Sequence, residues 1–378
     1  RYHDLAGDAR AFLQHSTGTY DVIVMNEGDP VSLLAGRLFT REFFVQARAR
    51  LAPGGLLAVT IGSSENYVNA QGKAYARSVR ATLASVFAHV KPIPGGRKTF
   101  IASDTDHEAT PEILTARLKE RGIVAQFMQG YYLADRMSAS RMAEAKAWIA
   151  VPGEVSTDVS PVTSLRALVF ATTRAGTGFA KFVAVAERMQ AVLWLFIPAL
   201  FVWGLRARRG SLPLAGAAIA GFTQMVFQVA TIFLVQTVFG HAYAVVGILT
   251  AGFMLGAFFG VHAARYFRPV HAAALQALLA VLFIAVLMVW PAGAFVFPVM
   301  AGMAGGIQFA LYAAMAGKER AGRVYGADVI GAACGALAAG LLLVPLWGMA
   351  VTMLFVAALN VAAGCVTGLQ PRSVSAER

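Results

Sequence analysis

From Leu212 to Phe239 the chain reads LPLAGAAIAGFTQMVFQVATIFLVQTVF, without one charged residue. A bilayer's hydrocarbon core is about 30 Å thick and needs about 20 mostly apolar residues per helix. This stretch is long enough to cross. Working outward from it, Met189–Leu205, Ala242–Ala264, Ala272–Trp290, Ala294–Ala316, Gly326–Leu346 and Met349–Leu369 read the same way. Buried helices of soluble proteins do not come in such a series at this length, so the second half is expected to be an all-α polytopic membrane bundle of six to seven helices, with the lipid bilayer as partner.

Composition agrees. Of 378 residues, 57% are hydrophobic and 14% are charged, against about 25% charged in soluble domains. The deficit is lopsided. From Arg206 onward the only acids are Glu319, Asp328 and Glu377, so the earlier half is ordinarily charged and the later half nearly uncharged. The net charge of +12 does not indicate a nucleic-acid binder, because its basic residues are not gathered on one face. They collect in short loops at Arg206–Gly210, Arg265–His271 and Gly317–Arg323 and in the tail from Pro371, while the loops near Gly240, Pro291 and Trp347 hold none. That bias puts the basic loops on the cytoplasmic side of the inner membrane. If Met189–Leu205 spans, the first half lies outside. If that segment is re-entrant, interrupted as it is by Pro198, the first half is cytoplasmic, which its expected chemistry favours.

Cys334 and Cys365 lie inside apolar segments and read as packing residues, and no Cys or His spacing suggests a metal site. Gly252, Gly256 and Gly260 fall four apart, as do Gly331 and Gly335, a spacing that lets helix backbones touch. Tight packing and a moving transporter seam both use it. Within the spans Gln224, Gln228, Gln236, Gln308, Asp328 and Asn360 are the notable polar residues. Asp328 sits in the first turn of its helix, where a carboxylate suits the dipole, and it is also a functional candidate.

The first half alternates strands and helices. Tyr20–Asn26 and Leu56–Ile61 are apolar runs of buried-strand type. Helices are expected over Thr40–Leu51, ended by Pro53-Gly54-Gly55, and over Lys73–Phe87, with further strands at His89–Ile93 and Thr99–Ala102. Such alternation implies a doubly wound sheet, whose ligands bind beyond the carboxyl ends of the strands. Asn26-Glu27-Gly28-Asp29-Pro30 and Thr60-Ile61-Gly62-Ser63 then form the binding edge. The stretch Phe127–Tyr132 and a helix over Ser138–Ala150 close the domain. Expected boundaries are 1–150 for the α/β domain, 151–188 for an interfacial linker, 189–369 for the bundle and 370–378 for a basic tail.

Several motifs in order carry a resemblance: Gly7-Asp8-Ala9-Arg10-Ala11-Phe12-Leu13, then Tyr20-Asp21-Val22-Ile23-Val24, Asp29-Pro30, Leu38-Phe39-Thr40-Arg41-Glu42-Phe43-Phe44 and Leu51-Ala52-Pro53-Gly54-Gly55. Over about its first hundred residues the chain resembles the spermidine synthase (polyamine aminopropyltransferase) family. Pro94-Gly95-Gly96-Arg97, Gly247–Gly260 and Tyr325-Gly326-Ala327-Asp328-Val329-Ile330-Gly331 resemble its membrane-fused bacterial members with transporter-like helices. The resemblance implies a Rossmann-like, methyltransferase-type α/β fold, here a partial one. It also implies aminopropyl transfer from decarboxylated S-adenosylmethionine, a co-substrate and not a tightly bound cofactor, to a polyamine or related small amine. By position, Asp8, with Ala9 beside it, resembles the acceptor of the adenine amino group, and Asp8 can equally cap the following helix. Asp29 resembles the acid that holds the substrate ammonium, and also suits a turn before Pro30.

Two departures bear on activity. Asn26 stands where the family has its catalytic aspartate, and an amide cannot take a proton. Thr60 stands where soluble members usually have a substrate-binding glutamine. Glu27 is the neighbouring carboxylate, but adjacent strand residues point to opposite faces. The family's glycine-rich nucleotide loop and ribose-binding acid belong before Arg1, which is no initiator Met, so the chain is expected to be a fragment. The expected function is a membrane-bound spermidine synthase-like protein with impaired turnover. The alternative is a non-catalytic membrane protein that transports or senses a polyamine or nucleoside.

Overall fold

Only Pro94-Gly95-Gly96 separates two extended segments of the α/β half, and that brevity shapes the sheet. Parallel neighbours need a crossover of a dozen residues or more, so the strand after this turn must run antiparallel to the one before. The computed structural model describes residues 7–63, 68–126, 130–174, 176, 178–188, 211–239, 243–289, 293 and 295–369. Its strands are β1 (Tyr20–Met25), β2 (Leu51–Gly62), β3 (His89–Ile93) and β4 (Arg97–Ser103), in the order β1-β2-β4-β3. β1 and β2 are parallel, and β4 lies antiparallel between β2 and β3. Among the described residues the expected doubly wound sheet is thus a small mixed one with a single parallel pair.

β2 also starts earlier than the apolar run suggests. Tyr20 pairs with Leu51 and Val22 with Leu56, so Pro53-Gly54-Gly55 bulges out of the strand instead of preceding it. Gly54 has φ 77°, a left-handed conformation in which glycine is least strained.

The helices of this half are α1 (Ala9–His15), α2 (Leu33–Gly36), α3 (Arg41–Ala49), α4 (Ala70–Ala84), α5 (Pro111–Glu120), α6 (Gly130–Arg136), α7 (Ala139–Ala150), α8 (Val162–Arg174) and α9 (Phe179–Arg188). Asp8, Ser32, Thr40, Asn69 and Thr110 cap α1 to α5, each side-chain oxygen accepting from a backbone N–H three residues on. Such a cap typically contributes about 1 kcal/mol. Phe43, Phe44 and Ala47 of α3 and Tyr75, Val79 and Leu83 of α4 pack on Leu57, Val59 and Ile61 of β2. Ala167 and Phe170 of α8 join the same core, and Ser78 of α4 bonds Thr163 at 2.7 Å. Residues 162–174, expected inside an interfacial linker, are therefore a packed helix of the α/β unit, because one face of α8 is apolar enough to be buried there. The chain divides into two units between Ala180 and Lys181, so most of α9 belongs to the second.

The second unit comprises α10 (Leu212–Phe239), α11 (Tyr243–Ala263), α12 (Pro269–Val289), α13 (Val296–Ala316), α14 (Ala321–Ala338) and α15 (Val344–Leu369). A π-helical stretch, Ala339–Leu343, joins the last two, and Gly348, at φ 73° and ψ 172°, breaks α15 near its start. Among the described residues, four helices are long and apolar enough to cross a membrane: Leu212–Thr237, Ala244–Tyr266, Val296–Ala316 and Lys318–Thr367. The last holds two of the expected segments, divided at Gly348. Met189–Leu205, Arg206–Gly210 and the tail 370–378 lie outside the described residues.

This unit exposes many large apolar side chains and buries several polar ones. Ile248, Met254, Leu255, Phe258, Phe259 and Ile330 are among its exposed side chains, while Thr223, Gln276, Gln308 and Asn360 are buried.

Glycines set the closest helix contacts. A Cβ at Gly256 or Gly260 of α11 would run into the carbonyls of Val299 or Met303 on α13, and one at Gly302 or Gly306 into those of Phe253 or Ala257. Gly331 and Gly335 of α14 lie likewise against Ala218 and Phe222 of α10. Gly247, also in α11, has open space around it. In detergent, Gly256→Ala should lower the melting temperature, overpacking costing about 1–3 kcal/mol. Gly247→Ala should raise it slightly, since alanine is the better helix former by about 0.5–1 kcal/mol. Equal effects of the two changes would show that α11 and α13 do not touch at these glycines.

Candidate functional site

The carboxyl ends of β1 and β2 lie side by side, because Met25 pairs with Val59 at the end of their parallel register. Asn26, Glu27 and Gly28 leave β1 as an exposed stretch, and Thr60 continues β2 beside them. The chain then returns at Asp29. One carboxylate oxygen of Asp29 accepts from the backbone N–H of Gly62 at 2.7 Å and from the Tyr75 hydroxyl at 3.1 Å. Only glycine suits position 62, since a Cβ there would meet the Asp29 carboxylate. Tyr75 is fully buried, and its pKa is raised well above the ordinary value by that burial and then by the Asp29 charge. It remains a protonated donor. Asp29 is therefore fixed at the strand ends, half-buried, as a carboxylate with capacity left for a cationic partner.

Thr60 turns to β4, where its hydroxyl pairs with that of Thr99 at 3.1 Å. Arg97, next to Lys98 on β4, donates to the Glu27 carbonyl at 3.3 Å, which fixes the backbone just before Asp29.

Asp8 is heavily engaged. It caps α1 by accepting from Ala11 N–H at 2.9 Å, and it pairs with both terminal nitrogens of Arg37. Arg37 is buried, and its own carbonyl accepts from Arg10, which in turn pairs with Asp158. An adenine amino group would have to share the Asp8 carboxylate with Arg37. Ala9, Asn26 and Glu27 line one cleft of about 270 Å³ between α1 and β1, together with Phe12, Tyr20 and Val24. Asp29 and Thr60 are not among its lining residues. The structure thus brings Ala9 and Asn26 to one cleft and Asp29 to the adjoining strand ends. Val22 and Val24 of β1 are 52% and 65% exposed, so this edge of the sheet is open among the described residues.

Sequence reasoning missed Tyr75, Arg37 and Lys98. Tyr75 reads as one of several apolar residues at helical spacing, and its partner Asp29 lies 46 positions away. Lys98 is buried on β4 with its ammonium 4.0 Å from the centre of the Trp148 ring, a cation–π contact that also draws Lys73, at 5.9 Å. Burial lowers its pKa to about 8, with Glu144 opposing the shift and Lys73 adding to it. The sign follows. Between about pH 8 and the ordinary lysine value near 10.5, the unfolded chain binds a proton that the folded chain has released, so stability rises with pH across that window. Below pH 8 this gain is absent. Lys98→Met should flatten the rise in denaturation midpoint between pH 8 and 10. A rise of undiminished size in the variant would remove Lys98 as its source.

Among known proteins the likeness runs to transferases. The chain is 33% identical over 144 residues to a polyamine aminopropyltransferase of Synechococcus sp. (strain JA-2-3B'a(2-13)), covering 35% of this chain and 46% of that protein. It is 30% identical over 172 residues to polyamine aminopropyltransferase 2 of Pseudomonas aeruginosa, covering 42% and 47%. A Pyrobaculum calidifontis polyamine aminopropyltransferase is 33% identical over 117 residues, covering 29% and 40%. No family model matches. The chain spans about half the length of the curated relatives it matches, and by these relatives it is related to the polyamine aminopropyltransferases over a minority of its own length.

Proposed function

We propose that this is a membrane-bound, spermidine synthase-like protein whose α/β unit holds the ammonium of a polyamine or related amine at Asp29. The observation that carries the reading is the Asp29 carboxylate, oriented by Gly62 and Tyr75 at the ends of the parallel strands. The relatives' names supply the substrate class, and the four long apolar helices supply the membrane half.

In aminopropyl transfer an amine nitrogen attacks the carbon beside the sulfonium of decarboxylated S-adenosylmethionine. The carbon–sulfur bond breaks, the thioether leaves, and the amine gives up a proton. Asp29 provides the cation's counter-charge and orientation. The proton acceptor is the weak point, because Asn26 occupies the place where the resemblance puts a carboxylate, and an amide offers no basic oxygen. This one residue favours a second reading on the same site, in which the unit binds a polyamine or nucleoside without turnover and the protein senses or transports it.

Transfer of label from decarboxylated S-adenosylmethionine to putrescine separates the two. In the protein carrying the nucleotide loop that the resemblance places ahead of Arg1, the unaltered sequence should transfer at the uncatalysed rate, and Asn26→Asp should raise the rate by about 10²-fold or more, the usual contribution of a positioned base. Brisk transfer by the unaltered chain would contradict the role given to Asn26. Asn26→Asp still at the uncatalysed rate would leave the binding-only reading.

A further inference from the structure

Alternation along β3 and β4 sorts their side chains onto two faces. Phe100 and Ala102 belong to the core that α3 and α4 share, and Val90 packs against it. His89, Lys91, Ile93, Ile101 and Ser103 line a cavity on the other face, together with Leu56 of β2. Its volume is about 280 Å³. Leu114 and Arg117 of α5, Met137 and Met142 of α7 complete the wall. Although α5 carries Ile113 and Leu114, it buries none of its residues. The helix therefore stands over this face of the sheet without filling it. Asp29, Gly62 and Tyr75 are not among the lining residues.

The polar groups of the cavity are unevenly engaged. Lys91 pairs with Asp106 at 2.5 Å and donates to the His107 carbonyl at 2.6 Å. Ser103 donates to the Gly55 carbonyl and accepts from the Thr105 N–H. By contrast, Nε2 of His107 is buried with no hydrogen-bond partner among the described residues. A buried polar atom left so marks a place for water or a ligand. Arg117 brings a guanidinium with no ion-pair partner among the described residues. Glu108 is the one acid among the described lining residues, against Arg117, the two imidazoles of His89 and His107, and the already paired Lys91. Such a donor set suits an anion, and a guanidinium suits a carboxylate best.

The rest of the wall is isoleucine, leucine and methionine, and methionine side chains adapt to the shape of what they cover. Ligand pockets run upward from about 300 Å³, so one or two rings would fill this one, and a whole lipid exceeds it. We propose that this cavity is a second small-molecule site of the α/β unit, taking a compact aromatic carboxylate. Its rings rest on Ile93, Ile101, Met137 and Met142, and its charge meets Arg117 and His107. The site is distinct from Asp29 and selects the opposite charge, so it stands whether or not a polyamine binds there.

The full chain in lipid nanodiscs is titrated calorimetrically with 2-naphthoate, with protein-free nanodiscs as the blank and 2-naphthylmethylamine as the cation of matching shape. The carboxylate should bind at one site per chain, and the amine at least tenfold more weakly. Arg117→Gln, a change on an exposed side chain, should weaken naphthoate about tenfold or more, as loss of a charged hydrogen bond does. Leu114→Trp, which fills the cavity from α5, should abolish binding without lowering the melting temperature. Asp29→Asn should leave naphthoate affinity unchanged, which separates this site from the polyamine reading. Heat no greater than the blank, equal affinity for the amine, or undiminished affinity in Arg117→Gln would each overturn the proposal. Arg117→Gln keeps the test decisive should Leu114→Trp not fold.

Discussion

The carboxylate of Asp29 is the fastening on which the candidate site depends. It ties the segment leaving β1 to the end of β2 through the Gly62 N–H and to α4 through the Tyr75 hydroxyl. These bonds are charge-assisted and therefore among the stronger ones a fold can make. They require a glycine at 62, a fully buried tyrosine and a parallel β1–β2 pair, so the sheet register and the site geometry are one constraint. Arg97 reinforces it from β4 by holding the Glu27 carbonyl. What this arrangement provides is charge and orientation; the group that would move a proton is not part of it.

A different constraint governs the second unit. Close contact between helix backbones marks its packing. The glycines at 256, 260, 302 and 306 bring α11 and α13 together, and those at 331 and 335 bring α14 to α10. Polar side chains are then left to the interior, where each must find a partner. Asn360 does so through Thr223 and Val356; Gln224 does not among the described residues.

Much of this was legible in the chain itself. Within the described residues the apolar segments from Leu212 onward fall on helices, four of them long and apolar enough to cross a membrane, because such a helix is a local property of composition and length. Thr40, read as the start of a helix, is its cap. The direction of β4 was less visible, since periodicity marks a strand without its neighbour; the short turn at Pro94-Gly95-Gly96 held the information. Residues 162–174 fell within the expected linker, yet one face of that helix is buried beside α4. Tyr75, Arg37 and Lys98 act through partners remote in sequence, and no local pattern announces such pairs.

Asp29 is proposed as the cation-holding group of the α/β unit. Calorimetric titration of the full chain with spermidine tests it most directly, comparing the unaltered protein with Asp29→Asn, which keeps the shape and removes the charge. A charge-holding role predicts loss of the binding heat in the variant, with its melting temperature within a few degrees of the original. Spermidine affinity unchanged in a folded Asp29→Asn protein would contradict it.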